Sequence, residues 1–124
     1  MKKILIADDD SDLVKLLRFR LEERGYDIEV AHDGQEAIDK IYQLAIDLII
    51  LDIDMPKVDG FEICKRMQSD EIYKNIPIIL LTGTSKEAAD IVRGMRSGAV
   101  SYVQKPYTSE VLLGIIEGFT KDNI

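Results

Sequence analysis

The chain has 124 residues, enough for one domain whose core hides roughly two thirds of the unfolded surface. Its net charge of −7, with no basic run to neutralise phosphates, argues against direct contact with nucleic acid, and no apolar stretch is long enough to span a bilayer. A lone cysteine, Cys64, excludes an intramolecular disulfide and reads as a small apolar filler beside Ile63 and Met67.

In chain order, Met1-Lys2-Lys3 is basic, and the apolar run that follows is too short for a signal peptide, so a cytoplasmic location is expected. That run, Ile4-Leu5-Ile6-Ala7, predicts a strand near 3–8 ending in Asp8-Asp9-Asp10. Helical spacing of Val14, Leu17 and Leu21 predicts a helix near 12–25, closed at Gly25, with Ser11 a plausible N-cap and Asp10 a carboxylate that serves only as a cap. An alternating strand near 27–31 and a helix near 35–44 follow, separated by Asp33-Gly34. Leu48-Ile49-Ile50-Leu51 predicts a strand near 47–52 that stops at Asp52, and Asp59-Gly60 opens a helix near 60–69. Ile78-Ile79-Leu80-Leu81 predicts a strand near 77–82 that stops at Thr82, with a helix near 86–97 after it. A weaker strand near 100–104 runs into Lys105-Pro106. The last helix, near 109–120, is capped by Thr108 or Ser109, with Leu112, Ile116 and Phe119 inward and Val111 and Ile115 as extra apolar surface.

Five alternations of strand and helix predict an α/β fold with a parallel sheet. The strands at 3–8, 47–52 and 77–82 are continuously apolar, as strands covered on both faces are; those at 27–31 and 100–104 alternate, as edges do. Right-handed crossovers then favour the order 2-1-3-4-5 with helices on both faces, a doubly wound, flavodoxin-like (βα)5 arrangement forming one domain over 1–124. In such a sheet a crevice opens beyond the strand ends where the winding reverses, between the first and third strands. Asp8, Asp9 and Asp52 border it.

Carboxylates gathered at one rim repel, so one must take up a proton or a cation must bind. Oxygen-only ligands with room for water describe a magnesium site better than a zinc site. A metal lowers repulsion against an incoming phosphoryl group, and one carboxylate can then act as nucleophile to form an acyl phosphate. Lys105 and Thr82 could hold the remaining phosphate oxygens, and Gly83 leaves its N–H open to the same group. His32 follows the second strand, far from the crevice, and has no assigned role.

These residues resemble the receiver domain of two-component response regulators along the whole chain. The resemblance rests on Asp8-Asp9, on Asp52-Ile53-Asp54-Met55-Pro56-Lys57-Val58-Asp59-Gly60, on Thr82, and on Gly98-Ala99 followed by Tyr102 and Lys105-Pro106-Tyr107. It implies that Asp52 is the phosphoacceptor. It further implies that Asp8 and Asp9 hold Mg²⁺, directly or through water, with the Asp52 carboxylate and the Asp54 backbone carbonyl completing the protein ligands. Lys105 pairs with Asp52 and then with phosphate, while Thr82 and Tyr102 act as switch residues. The implied donor is a phosphohistidine on a sensor kinase or phosphotransfer protein, or a small acyl phosphate. The implied output is a shift of the surface built from the helix near 86–97, the last strand and the last helix, acting on a partner, by onward phosphotransfer, or on a segment beyond this sequence. Such a domain is a phosphoacceptor rather than an enzyme.

Gly83 stands where the family often has alanine, the stretch from Thr82 to Gly98 is one residue longer than usual, and Asp54 and Thr84 occupy places that tune phosphoryl lifetime. Val100-Ser101 replaces an acidic pair frequent in receivers that dimerise through the output face, so a monomer or weak dimer is expected. Leu13 and Leu16 flank the inward stripe of the first helix and are expected to dock the kinase or phosphotransfer helices. Two other readings are open. Asp52-x-Asp54 resembles haloacid-dehalogenase-like phosphatases, although there the acidic pair comes last, and an interaction module that no longer accepts phosphate would share the fold.

Overall fold

A computed structural model describes residues 2–53, 55, 57–58, 60–82, 101–104 and 108–120. Strands β1 (Lys3–Ala7), β2 (Asp27–Ala31), β3 (Leu48–Asp52), β4 (Ile78–Thr82) and β5 (Ser101–Gln104) form one parallel sheet in the order β2-β1-β3-β4-β5. The described helices are α1 (Ser11–Glu23), α2 (Gly34–Gln43), α3 (Gly60–Gln68) and α4 (Ser109–Thr120). The helix expected near 86–97 lies outside the described residues.

The period-two pleat divides each apolar run between two cores. Leu5, Ala7, Ile49, Leu51, Ile78 and Leu80 face α2 and α3, where they meet Ile38, Ile41, Phe61, Cys64 and Met67. Ile4, Ile6, Leu48, Ile50, Ile79 and Leu81 face α1 and α4, against Val14, Leu17, Leu21, Leu112, Leu113 and Ile116. Strands apolar on every residue are therefore strands with a helix layer on each side, and each fully buried Leu or Ile contributes roughly 1.5–3 kcal/mol.

Helix ends follow local chemistry. Asp10 caps α1, its side chain accepting the Leu13 N–H at 3.2 Å, so Ser11 is the first helical residue rather than the cap. The other end of α1 is a Schellman turn: Gly25, at φ +90°, donates to the Glu22 carbonyl and Tyr26 donates to that of Leu21. Asp33 caps α2 through the Glu36 N–H at 2.8 Å, and the Thr108 hydroxyl caps α4 through the Val111 N–H at 3.2 Å. In α4 the inward stripe is Leu112, Leu113 and Ile116. Phe119, expected to face inward, is 43% exposed. The buried face is centred between 112, 113 and 116, and at 100° per residue position 119 falls on its margin in the last turn.

On the β2 edge of the sheet one outward carbonyl is engaged by a side chain. Ala31 turns its carbonyl toward Asp8 of the neighbouring strand, so the carbonyl of Val30 points away, and the Lys40 ammonium of α2 donates to it. The same ammonium lies 3.6 Å from both Glu29 and Glu36.

Candidate functional site

Register builds the site. Ala7 pairs with Leu51, so the next residues along, Asp8 and Asp52, stand side by side where β1 and β3 end. Asp52 in turn pairs with Leu81, which places Thr82 one step further along β4. Hydrogen bonds carry these neighbours past the formal strand ends: Asp8 N–H donates to the Ala31 carbonyl at 3.1 Å and Ile53 N–H to the Leu81 carbonyl at 3.2 Å. Asp8, Asp52 and Thr82 are 1%, 5% and 3% exposed, the three buried polar or charged residues among those described, whereas Asp9 is exposed at the rim. Asp8 Oδ1 also accepts the Asp10 N–H at 3.0 Å, which fixes its carboxylate against the start of α1.

One carboxylate oxygen from each of Asp8, Asp9 and Asp52 lies within 4.8 Å of the other two. Around an octahedral magnesium ion with ligands at about 2.1 Å, neighbouring oxygens are about 3 Å apart and opposite ones about 4 Å, so three oxygens this close can share one ion, directly or through a bound water. The donor set fits as well. All three are hard oxygens, two are held by strand ends, and the exposed third leaves the rim open to water and to an incoming group. Burying like charges this close without a cation is costly, and that cost is what a divalent ion relieves.

Asp8, Asp9, Asp52 and Thr82 thus come together as the sequence anticipates. Asp54, Gly83 and Lys105 lie outside the described residues. Tyr102 is on β5 and 41% exposed. On α1, Leu13 is half-buried and Leu16 is 49% exposed; sequence reading missed Phe19, which is also exposed and lies one turn beyond Leu16.

Sequence reading also missed how the loop after Asp52 is held. Lys57 has φ +73°, a left-handed conformation uncommon for a residue with a side chain, and its ammonium lies 3.3 Å from the Asp33 carboxylate. The Glu36 N–H at the start of α2 holds the Asp33 carboxyl below its ordinary pKa; burial opposes this and the Lys57 ammonium reinforces it. The dipeptides Asp33-Gly34 and Asp59-Gly60 mark breaks in the sequence, but nothing there shows that the first of them touches the stretch that follows β3.

The sequence model for the response regulator receiver domain matches residues 4–117. The chain is 42% identical over 107 residues to the alkaline phosphatase synthesis transcriptional regulatory protein PhoP of Bacillus subtilis, covering 86% of this chain and 43% of that protein. It is 39% identical over 119 residues to the transcriptional regulatory protein TrcR of Mycobacterium tuberculosis, covering 96% of this chain and 45% of that protein. The chain therefore spans about half the length of the curated relatives it matches. Among solved structures, the chemotaxis response regulator CheY4 of Vibrio cholerae superposes with a TM-score of 0.88 at 33% identity, covering 96% of this chain and 98% of that one. A two-component response regulator from Clostridium difficile gives 0.88 at 33%, with 96% and 95% covered.

Proposed function

The chain belongs to the response regulator receiver family of two-component systems, and on that premise we propose that Asp52 accepts a phosphoryl group from a phosphohistidine of a sensor kinase or phosphotransfer protein. As a receiver it is a phosphoacceptor signalling module whose pocket of Asp8, Asp9 and Asp52 serves Mg-dependent aspartyl phosphorylation, and membership of this family removes the phosphatase alternative. The observation that carries the assignment to Asp52 is its position. It ends the central strand between Asp8 and Thr82, 5% exposed, with a rim carboxylate beside it.

In this reading an Asp52 carboxylate oxygen attacks phosphorus, the P–N bond to the donor imidazole breaks, and the imidazole leaves with its electron pair and takes up a proton. Asp8 and Asp9 hold the metal, with the Asp54 carbonyl as a further ligand. Mg²⁺ bound there offsets the charge of the incoming group. Thr82 is buried at the adjoining strand end, so its hydroxyl is sited to turn toward a phosphoryl oxygen on Asp52. Lys105 supplies the ammonium and Gly83 a backbone N–H to the remaining oxygens. The exposed ring of Tyr102 leaves an inward turn available behind Thr82, and that turn passes the event to the output face. The meeting with the kinase is placed in the cytoplasm, with residues 1–124 as one receiver unit that is monomeric or weakly dimeric; no helix among the described residues is long and apolar enough to cross a membrane.

Leu13 and Leu16, with Phe19, provide the apolar side of α1 on which the donor docks. The curated relatives are named as transcriptional regulators, which favours a transcription-controlling output, reached through a partner or a further segment rather than through nucleic-acid contact by these residues.

Mass spectrometry after incubation with acetyl phosphate and Mg²⁺ tests the assignment. One added, hydroxylamine-labile phosphoryl group is expected in the wild type and none in Asp52→Asn. An unchanged wild-type mass, or label that persists in the variant, refutes it.

A further inference from the structure

The loop that leaves Asp52 is braced at both ends. At its far end the Gly60 N–H donates back to the Ile53 carbonyl at 3.3 Å, closing the loop on the residue next to the acceptor. Near its tip, residues 57 and 58 lean on the first turn of α2. The Lys57 ammonium pairs with the Asp33 carboxylate at 3.3 Å, and Val58 packs on the core formed by α2 and α3. The approach at Gly34 is the closest part of this brace. A Cβ there would sit 2.0 Å from the Val58 carbonyl oxygen, 2.7 Å from its carbonyl carbon and 2.8 Å from its Cβ. Only a residue without a side chain permits the contact.

This matters for the acceptor because the braced loop starts at the acceptor itself. Ile53, the residue after Asp52, is tied to β4 through its N–H and to Gly60 through its carbonyl, and Val58 lies between those two anchors in sequence, so the contact at Gly34 bears on the stretch that begins at Asp52. Relieving a 2.0 Å approach to an ordinary contact of about 3.4 Å moves Val58 or α2 by more than an ångström, and disturbing the groups that support metal ligands typically costs about 10–100-fold in metal affinity.

We propose that Gly34 is a positioning residue for phosphoryl acceptance: its contact with Val58 sets the loop after Asp52 so that the carboxylates of Asp8, Asp9 and Asp52 sit at the spacing one divalent ion bridges. The inference rests on the reading of Asp52 and its neighbours as a magnesium-assisted acceptor. It adds a residue from a different βα unit, outside the acidic cluster, to the machinery that reading requires.

The test is Mg²⁺ binding to the unphosphorylated protein by titration calorimetry, with thermal stability and acetyl phosphate labelling measured alongside. Gly34→Ala is expected to weaken Mg²⁺ binding about tenfold, and its labelling rate should approach that of the wild type as Mg²⁺ is raised. Val14→Ala, which thins the core on the opposite face of the sheet, is the control for stability alone and should leave Mg²⁺ affinity within twofold of the wild type. Should Gly34→Ala fail to fold, Lys57→Ala decides: it removes the ion pair that ties the same loop to Asp33 at the start of α2 without creating a clash, should weaken Mg²⁺ binding about threefold, and overturns the inference if affinity is unchanged. A folded Gly34→Ala that binds Mg²⁺ like the wild type, or a Val14→Ala that loses affinity equally, overturns the inference while leaving the acceptor reading intact. A wild type that neither binds Mg²⁺ nor takes label overturns both.

Discussion

Asp9→Asn keeps the shape of the side chain and removes one of three charges whose oxygens lie within 4.8 Å of one another. Two unit charges at that distance repel by about 3.5 kcal/mol at an effective dielectric of 20 and by about 0.9 kcal/mol in bulk water. Asp9 is the exposed member, so the aqueous figure is the closer guide, and its two neighbours together give about 1.5–2 kcal/mol. A negative charge near the start of α1 recovers roughly 0.5 kcal/mol from the helix dipole. The net expectation is that Asp9→Asn is more stable than the wild type by about 1 kcal/mol in EDTA, a rise of about 3–5 °C in Tm for a domain of this size. Saturating Mg²⁺ reverses the order. At a concentration 100-fold above its Kd a ligand adds about 2.7 kcal/mol to the folded state, and the variant, short of one ligand, gains less. Thermal denaturation of both proteins across a Mg²⁺ titration should therefore give two curves that cross. A variant less stable than the wild type without metal, or two parallel curves, would show that the three carboxylates do not share one electrostatic site.

The lowered pKa of Asp33 means that its charge stabilises the fold above the pKa of the unfolded chain, and that this contribution is lost as pH falls through the folded value. Asp33→Asn, which retains a capping side chain, should thus be less stable than the wild type at pH 7, with the gap closing below about pH 4 in urea denaturation. Ile50→Ala removes a fully buried side chain from the central strand and should cost about 2–5 kcal/mol by chemical denaturation, with no change in secondary structure by circular dichroism. Charging Leu13 and Leu16 together should slow phosphoryl transfer from a cognate kinase and leave transfer from acetyl phosphate unchanged; equal losses with both donors would remove α1 from the docking surface.

The strands could be read from the sequence because burial on both faces makes β3 and β4 apolar up to their last residue, and no helix needs that. Their order followed from the weaker alternation of β2 and β5. Asp8, Asp52 and Thr82 were visible because each is the first polar residue after such a run, and parallel strands align those ends without further information. What could not be read depends on approach between elements distant in sequence. Gly34 looks like any turn glycine until Val58 is brought against it, and nothing in Met55-Pro56-Lys57-Val58 marks Lys57 as the left-handed residue. Phe119 has the right spacing for an inward position. It is exposed because the stripe that meets the sheet is turned toward Leu113, a rotation that periodicity alone does not fix.

Lys40 also has a bearing on how this molecule behaves when concentrated. A strand margin with free carbonyls is a template on which a second ribbon can grow. At β2 the one outward carbonyl seen to be engaged, that of Val30, is already taken by an ammonium anchored between two glutamates. An incoming backbone would have to displace a bonded cation and meet those carboxylates, so accretion of a second strand at this point of the border is disfavoured.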